Sequence, residues 1–239
     1  MENETSILRF RGPWGVPIEI APSVLFLVGL IVMVNASAAG AALADGVILA
    51  VILVLSILLH ELGHAWGAMV QGVRVDRIVL HGGGGFCRHA AAGARASELI
   101  VAMGPIVNLG LWAVLSLGAE AIWFSMPDPT QNDPYVYLYV AEWLWFAAHL
   151  NLMLFALNLI PVQPLDGGKL LHLGLLRVMS EARALQVAGA VGLVCALVWL
   201  PAMIVMFVTF GFVLLFLPNI AMHWHMVRGG RRLDRLRRR

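Results

Sequence analysis

Apolar residues along the chain gather into five runs, at 22–43, 47–70, 99–124, 143–160 and 184–217. Four of them have the length of one membrane-spanning helix, which needs about 20 consecutive apolar residues. The fifth is too long for a single crossing: as one helix it would extend about 51 Å, against a hydrocarbon core of about 30 Å. Pro201 sits in its middle, where a missing N–H and a bulky ring kink or break a helix. The pattern therefore predicts a hairpin of two spans there, and about six transmembrane helices in all. Between the second and third runs, Val73, Val75 and Val79 suggest a short strand, and Gly82 to Gly85 a turn before Phe86. The expected fold is an all-α membrane protein with a short β-hairpin-like loop after the second helix, forming one integral membrane domain over 1–239.

Charge adds orientation. The basic residues are Arg9 and Arg11, then Arg74, Arg77, Arg88 and Arg95, then Lys169, Arg177 and Arg183, and finally the arginines from Arg228 onward. None falls after the first, third or fifth span, whereas Asp128 and Asp133 follow the third. Cytoplasmic loops are the ones enriched in Lys and Arg, so both termini are expected in the cytoplasm. The stretch 222–239 reads as a basic cytoplasmic tail that meets anionic lipid headgroups. No fold is left for nucleic-acid binding. Composition agrees, with 60% hydrophobic and 13% charged residues, too few charges to cover a soluble surface. Cys87 and Cys195 are the only cysteines, so no disulfide framework is available. Ala36-Ser37-Ala38 has the small-residue form of a signal-peptidase site, but the long, mixed-charge segment before it favours a retained span.

The chemistry begins in the second run, with His60-Glu61-Leu62-Gly63-His64. Residues i and i+4 share one face of a helix, so both imidazoles can bind one zinc ion while Glu61 stays free to move protons. Ionisable residues inside an apolar span are costly and point to function. A catalytic zinc site wants a third protein ligand. At the end of the fourth run comes Asn158-Leu159-Ile160-Pro161-Val162-Gln163-Pro164-Leu165-Asp166-Gly167-Gly168. Two prolines break the helix there, and irregular backbone at membrane depth must be buried in protein or line a wet cavity. The glycine pair lets the backbone pass close to a metal or to the second span. Read alone, Asp166 could cap the helix that follows; read with the first motif, it supplies the missing ligand.

HELGH in an early span paired with NLIPVQPLDGG in a later one resembles the site-2 protease family of intramembrane zinc metalloproteases. Gly104-Pro105-Ile106-Val107-Asn108 looks like that family's GPxxN element, and residues 7–22 are similar to the start of its compact members. The resemblance implies one zinc ion held by His60, His64 and Asp166, with Glu61 as the catalytic residue and a catalytic core over about 47–178. It implies an endopeptidase that cuts a membrane-spanning protein, in regulated intramembrane proteolysis that releases a regulator. Some members carry PDZ or CBS domains; this sequence has room for neither, so control is expected from a regulatory membrane partner or from substrate availability. In this mechanism zinc lowers the pKa of bound water and polarises the peptide carbonyl, while Glu61 takes the proton and returns it to the leaving amine.

Counting back from Gln71 puts His64 and His60 roughly 10 to 17 Å from the cytoplasmic end of the second span, so the cut is expected in the cytoplasmic half of the substrate helix. Asn108 and Asn158 are candidates for substrate binding, Asn158 by orienting the substrate carbonyl. Asn108, His149 and Asn151 could equally hydrogen-bond between helices. The 73–95 loop reads either as an open strand edge for an unwound substrate or as a solvated connector. His81, His89, His223 and His225 read as interfacial side chains. A metal transporter would predict repeated halves, which the unrelated motifs of the second and fourth spans do not provide. A catalytically silent scaffold would have no use for Glu61 between two intact ligands. The expected location is a prokaryotic cell membrane, as a multi-pass protein.

Overall fold

The structure is a computed structural model of the chain that describes residues 6–36, 43–125, 135–210 and 216–237. Ser37 and Ala38 of the signal-peptidase-like site, the loop with Asp128 and Asp133, and the last two arginines lie outside the described residues, as do the side chains from 231 onward. The elements are β1 (Leu8–Arg11), β2 (Pro17–Ile20), α1 (Ser23–Ala36), α2 (Leu43–Met69), β3 (Val75–His81), β4 (Gly84–His89), α3 (Ala94–Phe124), α4 (Tyr135–Asn158), α5 (Asp166–Leu176), α6 (Glu181–Phe210) and α7 (Ile220–Arg237). They form two units, Met1–Ala91 with Met103–Phe155 and Ala92–Ala102 with Ala156–Arg239. Among the described residues, four helices are long and apolar enough to cross a membrane: α2, α3, α4 and α6 over Glu181–Val205. The fold is thus mostly helical with a small sheet.

In the first unit the sheet runs β1-β2-β3-β4. β1 pairs antiparallel with β2, β2 parallel with β3, and β3 antiparallel with β4. The hairpin was legible in the loop after the second span; β1 and β2 were not anticipated. Their alternation explains them in hindsight. Ile18, Ile78 and Leu80 point one way and join Val16, Val24 and Ala65 in a core against α1 and the second half of α2. Side chains of a strand alternate between faces. Arg9, Glu19, Arg77 and Arg88 therefore fall on the other face, where Arg9 and Arg77 both pair with Glu19.

In the second unit, Asp166 opens α5, and Arg177 at its far end hydrogen-bonds Glu98 at 2.7 Å. That hydrogen bond and the carboxylate's charge hold the Arg177 guanidinium above its usual pKa. The expected hairpin over 184–217 is not formed: α6 is one helix from Glu181 to Phe210, with Pro201 inside it. The reason is hydrogen bonding. Pro201 costs one helical bond, whereas a turn at Leu200-Pro201-Ala202-Met203 would strip about four C=O and four N–H groups of partners, with no polar side chain nearby to take them. The return comes after α6: Trp199 Nε1 donates to Phe216 O at 2.8 Å. Then α7 lies antiparallel on the first part of α6. A Cβ on Gly189 would sit 2.8 Å from Met226 Cβ, and one on Gly230 would meet Ala182 O. Small residues thus let the two helices approach closely.

Candidate metal centre

Helix α2 carries His60, Glu61 and His64, all buried, at 6%, 5% and 8% exposure. The i,i+4 spacing brings His60 Nε2 to 3.0 Å from His64 Nε2, with the rings edge to face and their centroids 4.7 Å apart. One ligand atom from each of His60, Glu61 and His64 lies within 4.8 Å of the others. The two nitrogens stand near the separation of about 3.3 Å that two imidazoles take on one tetrahedral zinc with Zn–N of about 2.0–2.1 Å.

Helix α3 builds the opposite wall. Gly104 and Asn108 are also i,i+4 and so share a face. A Cβ on Gly104 would lie 2.7 Å from His60 Nε2 and still closer to the His64 ring, so glycine leaves open the space in front of the two nitrogens. Gly63 likewise lets α2 and α3 meet, since a Cβ there would be 2.7 Å from Met103 O.

Asn108 Oδ1 accepts from His60 Nδ1–H at 2.5 Å. That bond fixes the tautomer and leaves the Nε2 lone pair for a metal. The amide then donates to Asn151 Oδ1 at 2.8 Å, and Asn151 donates to Ser56 Oγ at 3.0 Å and to Ala147 O at 2.9 Å. The relay ties α2, α3 and α4 together through residues that are 7% exposed or less. Asn108, expected as a substrate contact or an interhelical bond, is fully enclosed and makes the interhelical bond. Two imidazoles with the Glu61 carboxylate beside them suit zinc among the divalent metals, and the space held open by Gly104 fits an ion between them.

On a third side lies β4, an edge strand of the sheet. A Cβ on Gly85 would stand 2.7 Å from Glu61 Cγ, so glycine lets the strand backbone reach the carboxylate.

Asp166 belongs to the second unit. It is 3% exposed and accepts from Lys169 Nζ at 3.0 Å. The close approach that Gly167 and Gly168 permit is to their own loop: a Cβ on Gly167 would be 2.5 Å from Ile160 O, and one on Gly168 would be 2.5 Å from Gln163 N. Asn158 ends α4 and is partly buried. His81 Nδ1 accepts from Gly83 N–H, and His149 is exposed and stacks on Trp145. His225 is exposed, but His223, expected at an interface, is 1% exposed. Lys169, Gly85 and the packing role of Gly104 went unread in the sequence. Lys169 stands three residues after Asp166, a spacing that could have signalled the pair.

The chain is similar to known proteins over most of its length. The model of Peptidase family M50 matches residues 124–199, the stretch that contains Asp166. A zinc metalloprotease of Methanocaldococcus jannaschii is 28% identical over 186 residues, 78% of this chain and 50% of that protein. Rip3 of Mycobacterium tuberculosis is 36% identical over 167 residues, 69% of this chain and 40% of that protein. The solved site-2 protease from M. jannaschii shares the fold, with a TM-score of 0.60, 23% identity and 94% of each chain covered. Residues 124–199 thus carry a Peptidase family M50 domain, and the chain has the fold of a site-2 protease. The chain spans about half the length, or less, of the curated relatives it matches. The four apolar helices accord with a family of integral membrane proteins.

Proposed function

We propose that this chain is a zinc-dependent intramembrane endopeptidase. The observation that carries the reading is the buried His60–Glu61–His64 cluster on an apolar helix, with His60 oriented by Asn108 and space kept open by Gly104. His60, His64 and Asp166 hold the zinc. When bound, the ion supplies a lowered pKa for water and a Lewis acid for the peptide carbonyl. Glu61 takes the proton of the attacking water and gives it to the departing amine. Its burial keeps the proton exchange within the site.

The substrate is a membrane-spanning protein, cut in the cytoplasmic half of its helix to release a regulator. A spanning helix has every carbonyl bonded internally, so a few residues must unwind before cleavage. β4 is the last strand of the sheet and its Gly85 lies against Glu61, so it suits an unwound segment that adds as a strand, and Asn158 orients its carbonyl. Both termini lie in the cytoplasm; the packing of Gly230 of α7 beside Ala182 of α6 supports this, because it brings the arginine-rich end to the level of Arg183. Those arginines meet anionic lipid. Archaeal and bacterial relatives support a prokaryotic cell membrane, and a membrane partner regulates access.

The test is a pair of variants assayed for cleavage of a single-span substrate and for bound zinc. Glu61→Gln abolishes cleavage and keeps about one zinc per chain; Asp166→Ala weakens both. Retained cleavage by Glu61→Gln overturns the mechanism, and unchanged zinc affinity in Asp166→Ala removes Asp166 from the ligand set.

A further inference from the structure

The loop that delivers Asp166 is held by a side chain from α7. Pro161 and Pro164 have no N–H, and between them Val162 N–H bonds Ile160 O at 2.7 Å. That leaves Gln163 N–H, which donates to His223 Nε2 at 3.1 Å. The same imidazole donates from Nδ1 to Asn219 O at 2.9 Å. One neutral tautomer therefore does both jobs, a donor at Nδ1 and a bare acceptor at Nε2.

His223 has a seat made for it. A Cβ on Gly192 of α6 would overlap its ring, so only glycine lets the imidazole cross α6 toward the loop. Gly168 of α5 also lies close to the loop, since a Cβ on it would be 2.5 Å from Gln163 N. Gln163, three residues before Asp166, thus meets both His223 and the first turn of α5. A basic tail would need none of this, and a histidine serving an interface would not be 1% exposed.

We propose that His223 is a positioning residue for the metal centre, fixing the loop 159–165 so that Asp166 is presented as a ligand. The inference rests on the reading of Asp166 as a zinc ligand, and it makes α7 part of the machinery. Groups that orient a metal ligand without touching the metal are typically worth 10- to 100-fold in affinity or activity when removed.

The experiment uses the full chain in detergent, with zinc affinity measured by chelator competition, cleavage of a single-span substrate, and the Tm of the zinc-free protein. His223→Phe keeps a ring beside Gly192 and removes the acceptor; His223→Leu serves if the larger ring is not tolerated. His223→Gln restores an acceptor through Oε1. The expected result is zinc binding weakened 10- to 100-fold in the acceptor-free variant, recovery to within about threefold in His223→Gln, and cleavage regained in excess zinc. In the double variant with Asp166→Ala, loss of His223 adds little further, because both act at one point.

Wild-type zinc affinity in the acceptor-free variant, beside a weakened Asp166→Ala, overturns the role of His223 alone. Unchanged affinity in Asp166→Ala overturns the ligand reading and this inference with it. Additive losses, or equal losses in the glutamine variant accompanied by a lowered Tm, show a structural role only and overturn the proposal.

Discussion

Asn108 offers the sharpest test of how the centre is tuned. Its side chain is fully buried and makes two bonds, accepting from His60 and donating to Asn151. Asn108→Leu keeps the forked shape and removes both. His60 Nδ1–H and Asn151 Oδ1 then lose these bonds inside a buried site, at about 1–3 kcal/mol each. His60 can escape its share by moving the proton to Nε2, which blocks the atom that faces His64. Zinc affinity should fall 10- to 100-fold, or about 1.4–2.8 kcal/mol, and the Tm should drop as well. Asn108→Asp keeps an acceptor for His60 Nδ1–H while losing the donor to Asn151, so its zinc affinity should stay within about threefold of the wild type. Chelator competition on both variants, alongside kcat and KM, checks this. A leucine variant that binds zinc like the wild type but shows a raised KM would refute the reasoning and return Asn108 to the substrate.

Gly104→Ala places a methyl against both imidazoles; bound zinc should fall well below one per chain with α3 still folded, as metal analysis and circular dichroism would report. A reporter fused after Met126 should appear outside the cytoplasm and one fused after Arg228 inside, and the opposite result at either place would overturn the orientation. In a substrate, replacing Gly, Pro, Asn or Ser in the cytoplasmic half of the span with Leu should slow cleavage severalfold without reducing insertion, because those residues hold a helix least well.

The sequence disclosed the parts of the centre that depend on local spacing. His60 and His64 at i,i+4 need only the geometry of one helix, and the β3–β4 hairpin needed only its glycine turn. What stayed hidden depends on partners far along the chain. The N-terminal strands are short, and Leu8-Arg9-Phe10-Arg11 alternates for only four residues; it becomes a sheet through the pairing of Ile18 with Ile78. His223 looked interfacial beside Trp224 and arginines, and only the packing of α7 on α6 buries it. Pro201 misled for a different reason. A proline rule drawn from helices in water weighs the one bond lost, whereas in an apolar run the many bonds kept decide the outcome.

The parallel pairing of β2 with β3 also carries a parity rule. Ile18 and Ile78 lie in one hydrogen-bonded sheet, and a sheet cannot sit on both faces of a bilayer at once. The chain between them must therefore cross an even number of times. If α2 spans the membrane, as its 27 residues allow, then the segment beginning with α1 must span it too, although the described part of α1 is only 14 residues long. Cutting the chain after Ala38 would remove one crossing and two strands together, leaving β3 exposed beside α2 where β2 had covered it. The first span and the two strands that cover the hairpin next to Glu61 are thus kept or lost as one.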